Sequence, residues 1–125
     1  MNVFVVGVGL IGGSMVLDIK SYYPEAIIYG IDTNEVHLEE ALKLGVIDKK
    51  ATLDSLDIAD IVIVSIPVDV QLEVIPNLLD TINDDCLLID VGSTKEQICN
   101  VLEKHSKRRN YLATHPIAGT EFSGP

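Results

Sequence analysis

The chain has 125 residues, 47% of them hydrophobic, and nineteen acidic against nine basic side chains give a formal charge of −10. That is enough apolar material for one compact domain, while the acidity and the lack of Trp argue against nucleic acid or an anionic membrane as partners. The longest apolar runs are far too short to span a bilayer.

Residues 2–6 are branched and aliphatic, stop at Gly7, and read as a buried strand. Over residues 10–20, Ile11, Met15 and Ile19 recur at helical spacing, and residues 26–31 repeat the strand pattern. Residues 34–44 are helical by Leu38, Ala41 and Leu42, with Gly45 placed to cap the C-terminus. Residues 47–51 suggest a short edge strand, and residues 60–65 form the third strong apolar strand. Val68, Leu72 and Ile75 then mark a helix that Pro76 is expected to kink or interrupt. Residues 87–91 are a further strand, and Ile98, Val101, Leu102 and His105 mark a last helix with a basic C-terminal turn. Residues 110–114 end the pattern as a short strand. Buried strands alternating with helices predict a doubly wound α/β domain with a mostly parallel sheet.

Gly7-Val8-Gly9-Leu10-Ile11-Gly12 is G-x-G-x-x-G, directly after a strand and opening a helix. In this context the motif is the dinucleotide-binding fingerprint of a Rossmann fold. Gly7 permits the tight turn, Gly9 lets the backbone approach a pyrophosphate, and Gly12 lets the helix pack close to the sheet. The helix amino end, at Leu10 and Ile11, then faces the anion. Asp32 ends the second strand, twenty residues beyond Gly12. Its carboxylate can accept from the adenosine ribose and would repel a 2′-phosphate. Thr33, Asn34 and Glu35 offer no compensating cation, so NAD is expected over NADP. The competing reading makes these ordinary turn glycines and Asp32 a helix cap. Ser65 and Pro67, after the third strong strand, should border the same cofactor at the carboxyl edge of the sheet.

Ser93 and Glu96 have capping-box spacing, so Ser93 is either a helix cap or a site residue. Of the three histidines, His37 lies among glutamates and reads as a solvated face, while His105 reads as packing or dipole compensation. His115 alone sits in a Gly- and Pro-containing loop following a strand, where an imidazole suits general base work. No two histidines have metal-ligand spacing, so no metal site is expected. Cys86 and Cys99, in no C-x-x-C spacing, are expected to be buried free thiols in a reducing cytoplasm. Arg108 and Arg109 are the only arginines, which leaves little with which to grip an anionic substrate.

Four motifs together resemble one family: Gly7 to Ser14, Asp60 to Pro67, Asp90-Val-Gly-Ser-Thr-Lys95, and His115-Pro-Ile-Ala-Gly-Thr-Glu-Phe-Ser-Gly124. The chain is similar over essentially its whole length to the prephenate and arogenate dehydrogenases of tyrosine biosynthesis. The resemblance implies NAD-dependent oxidative decarboxylation of prephenate to 4-hydroxyphenylpyruvate, or of arogenate to tyrosine. It implies that His115 accepts the ring-hydroxyl proton, that Ser93 bonds that histidine and the hydroxyl, and that Thr120 and Glu121 help form the substrate pocket. It also implies a helical C-terminal domain beyond residues 1–125 that forms a homodimer and supplies the substrate-binding arginine. The 125-residue domain by itself is then expected to bind NAD and turn over substrate weakly or not at all. Two rivals remain at this point: another Rossmann oxidoreductase of the β-hydroxyacid or imine reductase type, and a non-catalytic NAD-sensing module.

Overall fold

The computed structural model describes residues 1–114. Its strands are β1 (Asn2–Val6), β2 (Ile27–Ile31), β3 (Lys49–Lys50), β4 (Ile61–Val64), β5 (Leu87–Asp90) and β6 (Tyr111–Ala113). Its α-helices are α1 (Leu10–Tyr22), α2 (Glu35–Lys43), α3 (Val68–Thr81) and α4 (Glu96–Leu102). The strands form one sheet, in the order β3-β2-β1-β4-β5-β6, and every pairing is parallel. The chain winds outward from β1 in one direction, returns, and winds outward from β4 in the other. This is the doubly wound α/β fold, and its order reverses between β1 and β4.

Strand side chains alternate between two buried layers, as period-two geometry requires. Val3, Val5 and Ile63 pack with Val16 of α1 and Leu38 and Ala41 of α2. Phe4, Val6, Val62 and Val64 pack on the opposite face with Ile75, Leu78 and Leu79 of α3 and Ile98 and Leu102 of α4. Because both faces are covered, the strands are near-continuous aliphatic runs rather than alternating polar and apolar. Full burial of each such side chain contributes about 1.5–3 kcal/mol.

Several local features depart from the sequence reading. Pro76 neither ends nor splits its helix, since α3 runs unbroken from Val68 to Thr81. The last helix is shorter than expected and ends at Leu102, with no basic residue in its final turn. His105 therefore lies beyond it, where its Nδ1 accepts from the Lys107 N–H (3.0 Å) and its Nε2 lies 2.9 Å from Asp80. A 3₁₀ segment, Leu53–Ile58, buries Leu56 and has no counterpart in the sequence pattern. Cys86 is buried, whereas Cys99 is only half-buried; both are free thiols.

The end of α2 follows the sequence expectation. Gly45 has φ +73°. Its N–H donates to Leu42 O (3.1 Å), and the Val46 N–H donates to Ala41 O (2.9 Å). These two bonds make a Schellman cap. Among the described residues, no helix is long and apolar enough to cross a membrane.

Candidate functional site

One row of paired residues crosses the sheet at its carboxyl edge. Val6 pairs with both Ile31 and Val64, Val64 with Asp90, and Asp90 with Ala113. The ladder reaches one residue further: Gly7 N–H donates to Ile31 O (2.8 Å), Ser65 N–H to Val6 O (2.8 Å), Val91 N–H to Val64 O (3.1 Å) and Thr114 N–H to Asp90 O (3.0 Å). Asp32, Gly7 to Gly12, Ser65, Pro67 and Ser93 all lie just past this row. The shared register therefore brings them to one edge, where parallel α/β sheets bind ligands.

The glycines have separable roles. Gly7 has φ +94°, and a Cβ there would lie 2.2 Å from Ser65 O, so both conformation and space demand glycine. At Gly12 a Cβ would lie 2.6 Å from Gly7 O and 3.0 Å from Val5 Cγ2, so α1 seats directly on the turn. A Cβ at Gly9 would meet nothing within 4 Å. The space beside Gly9 is open to a ligand. Gly9 is also the N-cap of α1 and offers no side-chain cap, and the first helical bond runs from the Gly13 N–H to Gly9 O (2.9 Å). The N–H groups of the first turn, at Leu10, Ile11 and Gly12, precede that bond and point toward the helix amino end. Leu10 and Ile11 are 88% and 46% exposed. A helix amino end of this kind favours a phosphate.

Asp32 is not the cap of α2. Asn34 caps that helix, its side-chain oxygen accepting from the Val36 (3.0 Å) and His37 (3.3 Å) N–H groups. Asp32 instead accepts from the Val8 N–H (3.0 Å) through Oδ2 and from the Asn34 N–H (2.8 Å) through Oδ1. One carboxylate thus joins the end of β2 to the glycine turn. It lines a cleft of ≈ 500 Å³ together with Gly7, Gly9, Thr33, Ser65 and Pro67. The far wall is apolar, from Leu53, Ile66, Val70 and Val74. Polar groups beside the glycines and an aliphatic wall opposite fit the ribose and adenine of a dinucleotide. His37, expected to be merely solvated, also lines this cleft, with Nδ1 4.0 Å from Asp32 Oδ2. A smaller groove of ≈ 420 Å³ between α1 and α2 shares Gly9 and His37 with it.

At the β5 end the capping box does not form. Helix α4 begins at Glu96 with Lys95 as its N-cap and no side-chain capping bond, and Ser93 is exposed. The organiser there is Asp90, fully buried. Its Oδ1 accepts from the Gly92 N–H and from Lys95 Nζ (both 2.6 Å), and its Oδ2 accepts from the Tyr111 hydroxyl. Burial, together with the bond to Asp90, pushes the Tyr111 phenol far above its ordinary range, so it remains a donor. The Arg108 guanidinium lies 5.2 Å from the Tyr111 ring centre and donates to Tyr111 O (3.1 Å), so one of the two arginines is engaged here. His115, Thr120 and Glu121 lie outside the described residues.

His37 and Asp90 are the site-edge residues that sequence reasoning missed. The signal for Asp90 was present: an acid closing the aliphatic run 87–90, where burial demands partners.

Comparison with known proteins agrees with this geometry. Residues 15–125 match the family described as prephenate dehydrogenase, nucleotide-binding domain. The prephenate dehydrogenase of Lactococcus lactis subsp. cremoris is 36% identical over 98% of this chain, and that of Bacillus subtilis is likewise 36% identical over 98%. The chain spans only 36% and 34% of the length of those curated relatives. A crystal structure of prephenate dehydrogenase from A. aeolicus, in complex with hydroxyphenyl propionate and NAD+, superposes with a TM-score of 0.79 at 33% identity. The match covers 97% of this chain and 43% of that one.

Proposed function

The chain belongs to the prephenate dehydrogenase family, as its nucleotide-binding domain, and on that premise we propose that it holds NAD+ for the oxidative decarboxylation of prephenate to 4-hydroxyphenylpyruvate. The observation that carries this reading is the cleft past the Val6 row. Asp32, the open space at Gly9 and the amino end of α1 converge there opposite an apolar wall. In this assignment the Leu10, Ile11 and Gly12 amides bind pyrophosphate and the Gly7 turn sets their position. Asp32 would hold the adenosine ribose, and Ser65 and Pro67 would border the dinucleotide. The carboxylate also disfavours a 2′-phosphate, hence NAD over NADP.

Bound NAD+ supplies the two-electron acceptor. The remaining chemistry falls to side chains past β5 and β6. A neutral His115 imidazole accepts the ring-hydroxyl proton, which raises electron density at the carbon being oxidised as CO2 is lost. Ser93 hydrogen-bonds His115 and the hydroxyl, and Thr120 and Glu121 contribute to the substrate pocket. A C-terminal domain, contributed by a longer polypeptide, supplies the groups that grip the substrate carboxylates and the dimer contact.

The test is NADH formation by the full-length protein with prephenate and with arogenate, beside calorimetric titration of this chain with NAD and NADP. Prephenate-dependent NADH formation that collapses on His115→Asn supports the reading. Turnover of arogenate alone reassigns the substrate. Tight NADH binding with no turnover of either and no dependence on His115 would make the domain a redox sensor instead.

A further inference from the structure

We propose that Asp90 is a positioning residue for this reaction: it fixes the turn that carries Ser93 against the strand end that leads into His115. The inference rests on the roles given to Ser93 and His115 above. Asp90 closes β5 and is fully buried, yet every polar atom of its carboxylate and its main-chain oxygen has a partner. On one side the partners are Gly92 N–H and Lys95 Nζ, which bracket Ser93. On the other they are the Tyr111 hydroxyl and both the N–H (3.0 Å) and Oγ1 (2.6 Å) of Thr114, the residue joined to His115.

A residue needed only to end a buried strand would be apolar, because an ionised carboxylate out of water is costly unless it is fully partnered. Here the carboxylate joins the turn of residues 92–95 to the Tyr111 side chain of β6, while the main-chain oxygen of the same residue holds Thr114. The fit on the Ser93 side is close: a Cβ at Gly92 would lie 3.0 Å from Asp90 Oδ1 and 2.8 Å from Gln71 Oε1. The turn is pressed onto the carboxylate with no room for a side chain. Misplacement of reacting groups by about 1 Å can cost a hundredfold in rate, so the hold between the Ser93 turn and the end of β6 bears on the reaction. Asp90 does not line the cleft that contains Asp32, and its effect should spare that end of the cofactor.

The test is a double-mutant cycle in the full-length enzyme. Asp90→Asn keeps the shape and the acceptor oxygen but removes the charge facing Lys95. It should lower kcat about ten- to a hundredfold and leave the KM for NAD+ within about twofold. In a His115→Asn background the same change should lower kcat by less than about twofold, since there is no longer a base to position. An equal loss in both backgrounds, an unaltered kcat, or a KM for NAD+ rising in step with the loss would each overturn the proposal. If Asp90→Asn does not fold, Tyr111→Phe and Thr114→Val remove single bonds of the same hub and are read through the same cycle. A His115→Asn single variant with wild-type turnover overturns the underlying reading as well, and is recognisable because Asp90 is intact in it.

Discussion

The Asp32 carboxylate accepts from the Val8 N–H at 3.0 Å, so the acid that ends β2 is bonded to the turn that ends β1. In the proposed assignment Asp32 both orders the glycine turn and binds the ribose, two separable contributions that substitutions can divide.

Asp32→Ala should weaken NAD binding about ten- to a hundredfold, the equivalent of a lost hydrogen bond to a charged group. Asp32→Asn keeps an acceptor for Val8 and removes the charge, so it should narrow the preference for NAD over NADP. Calorimetry with both cofactors checks this, and an unchanged NAD affinity in Asp32→Ala would remove Asp32 from the site.

The fingerprint glycines should fail in different ways. Gly7→Ala places a Cβ against the Ser65 carbonyl in a left-handed conformation, so thermal stability should drop by about 1–3 kcal/mol. At Gly9 an added Cβ meets nothing within 4 Å among the described residues, so Gly9→Val should be tolerated by the fold. Stability should stay within about 0.5 kcal/mol of wild type, while NAD affinity falls at least about tenfold because the branched side chain occupies the path of the phosphates. Parallel melts and titrations separate the two, and a Gly9→Val domain that binds NAD normally contradicts the assignment of the cleft.

Ser93→Ala and His115→Asn test the chemistry. Ser93 is exposed and makes no capping bond, so its alanine variant should keep wild-type stability in denaturant titration while slowing turnover. His115→Asn should lower kcat by roughly two to four orders of magnitude. The rate should rise with pH through the His115 pKa, and that limb should vanish in the variant.

Cys86 should resist thiol reagents in the native state. Burial, reinforced by Asp60, pushes its thiol up to about 11, so the thiolate is scarce at neutral pH. Half-buried Cys99 should label first under native conditions. Since folding raises the Cys86 pKa, its contribution to stability is complete below the unfolded thiol pKa of about 8.5 and declines as pH rises through about 11. Equal labelling rates for the two thiols at pH 7 would count against this packing.

The sheet was readable because its strands are buried on both faces, which leaves uninterrupted aliphatic runs such as residues 61–64. The glycine turn and Asp32 were readable because sequence spacing alone sets their meeting. Relationships made across the fold were not. His37 was judged by its glutamate neighbours, but the Asn34 cap turns α2 so that the imidazole faces the Asp32 cleft. The Ser93–Glu96 box failed because Asp90 draws in Gly92 and Lys95, which delays the start of α4 to Glu96. Those bonds to Asp90, short in sequence but set by its burial, leave Ser93 short of the N-cap position. Pro76 is accommodated within α3, where Ile75, Leu78 and Leu79 are buried against the sheet; tertiary packing outweighs the local penalty.

The reversal of strand order between β1 and β4 divides the work of the domain as well as its winding. On one side, the ends of β1 and β2 carry the cradle attributed to the adenosine half; on the other, β5 and β6 lead into the residues given the reaction. Each group follows its own strands of one shared sheet. A lineage could therefore exchange the chemistry past β5 and β6 while inheriting the nucleotide grip intact. Exchanging the segments past β5 and β6 between relatives should leave cofactor affinity unchanged.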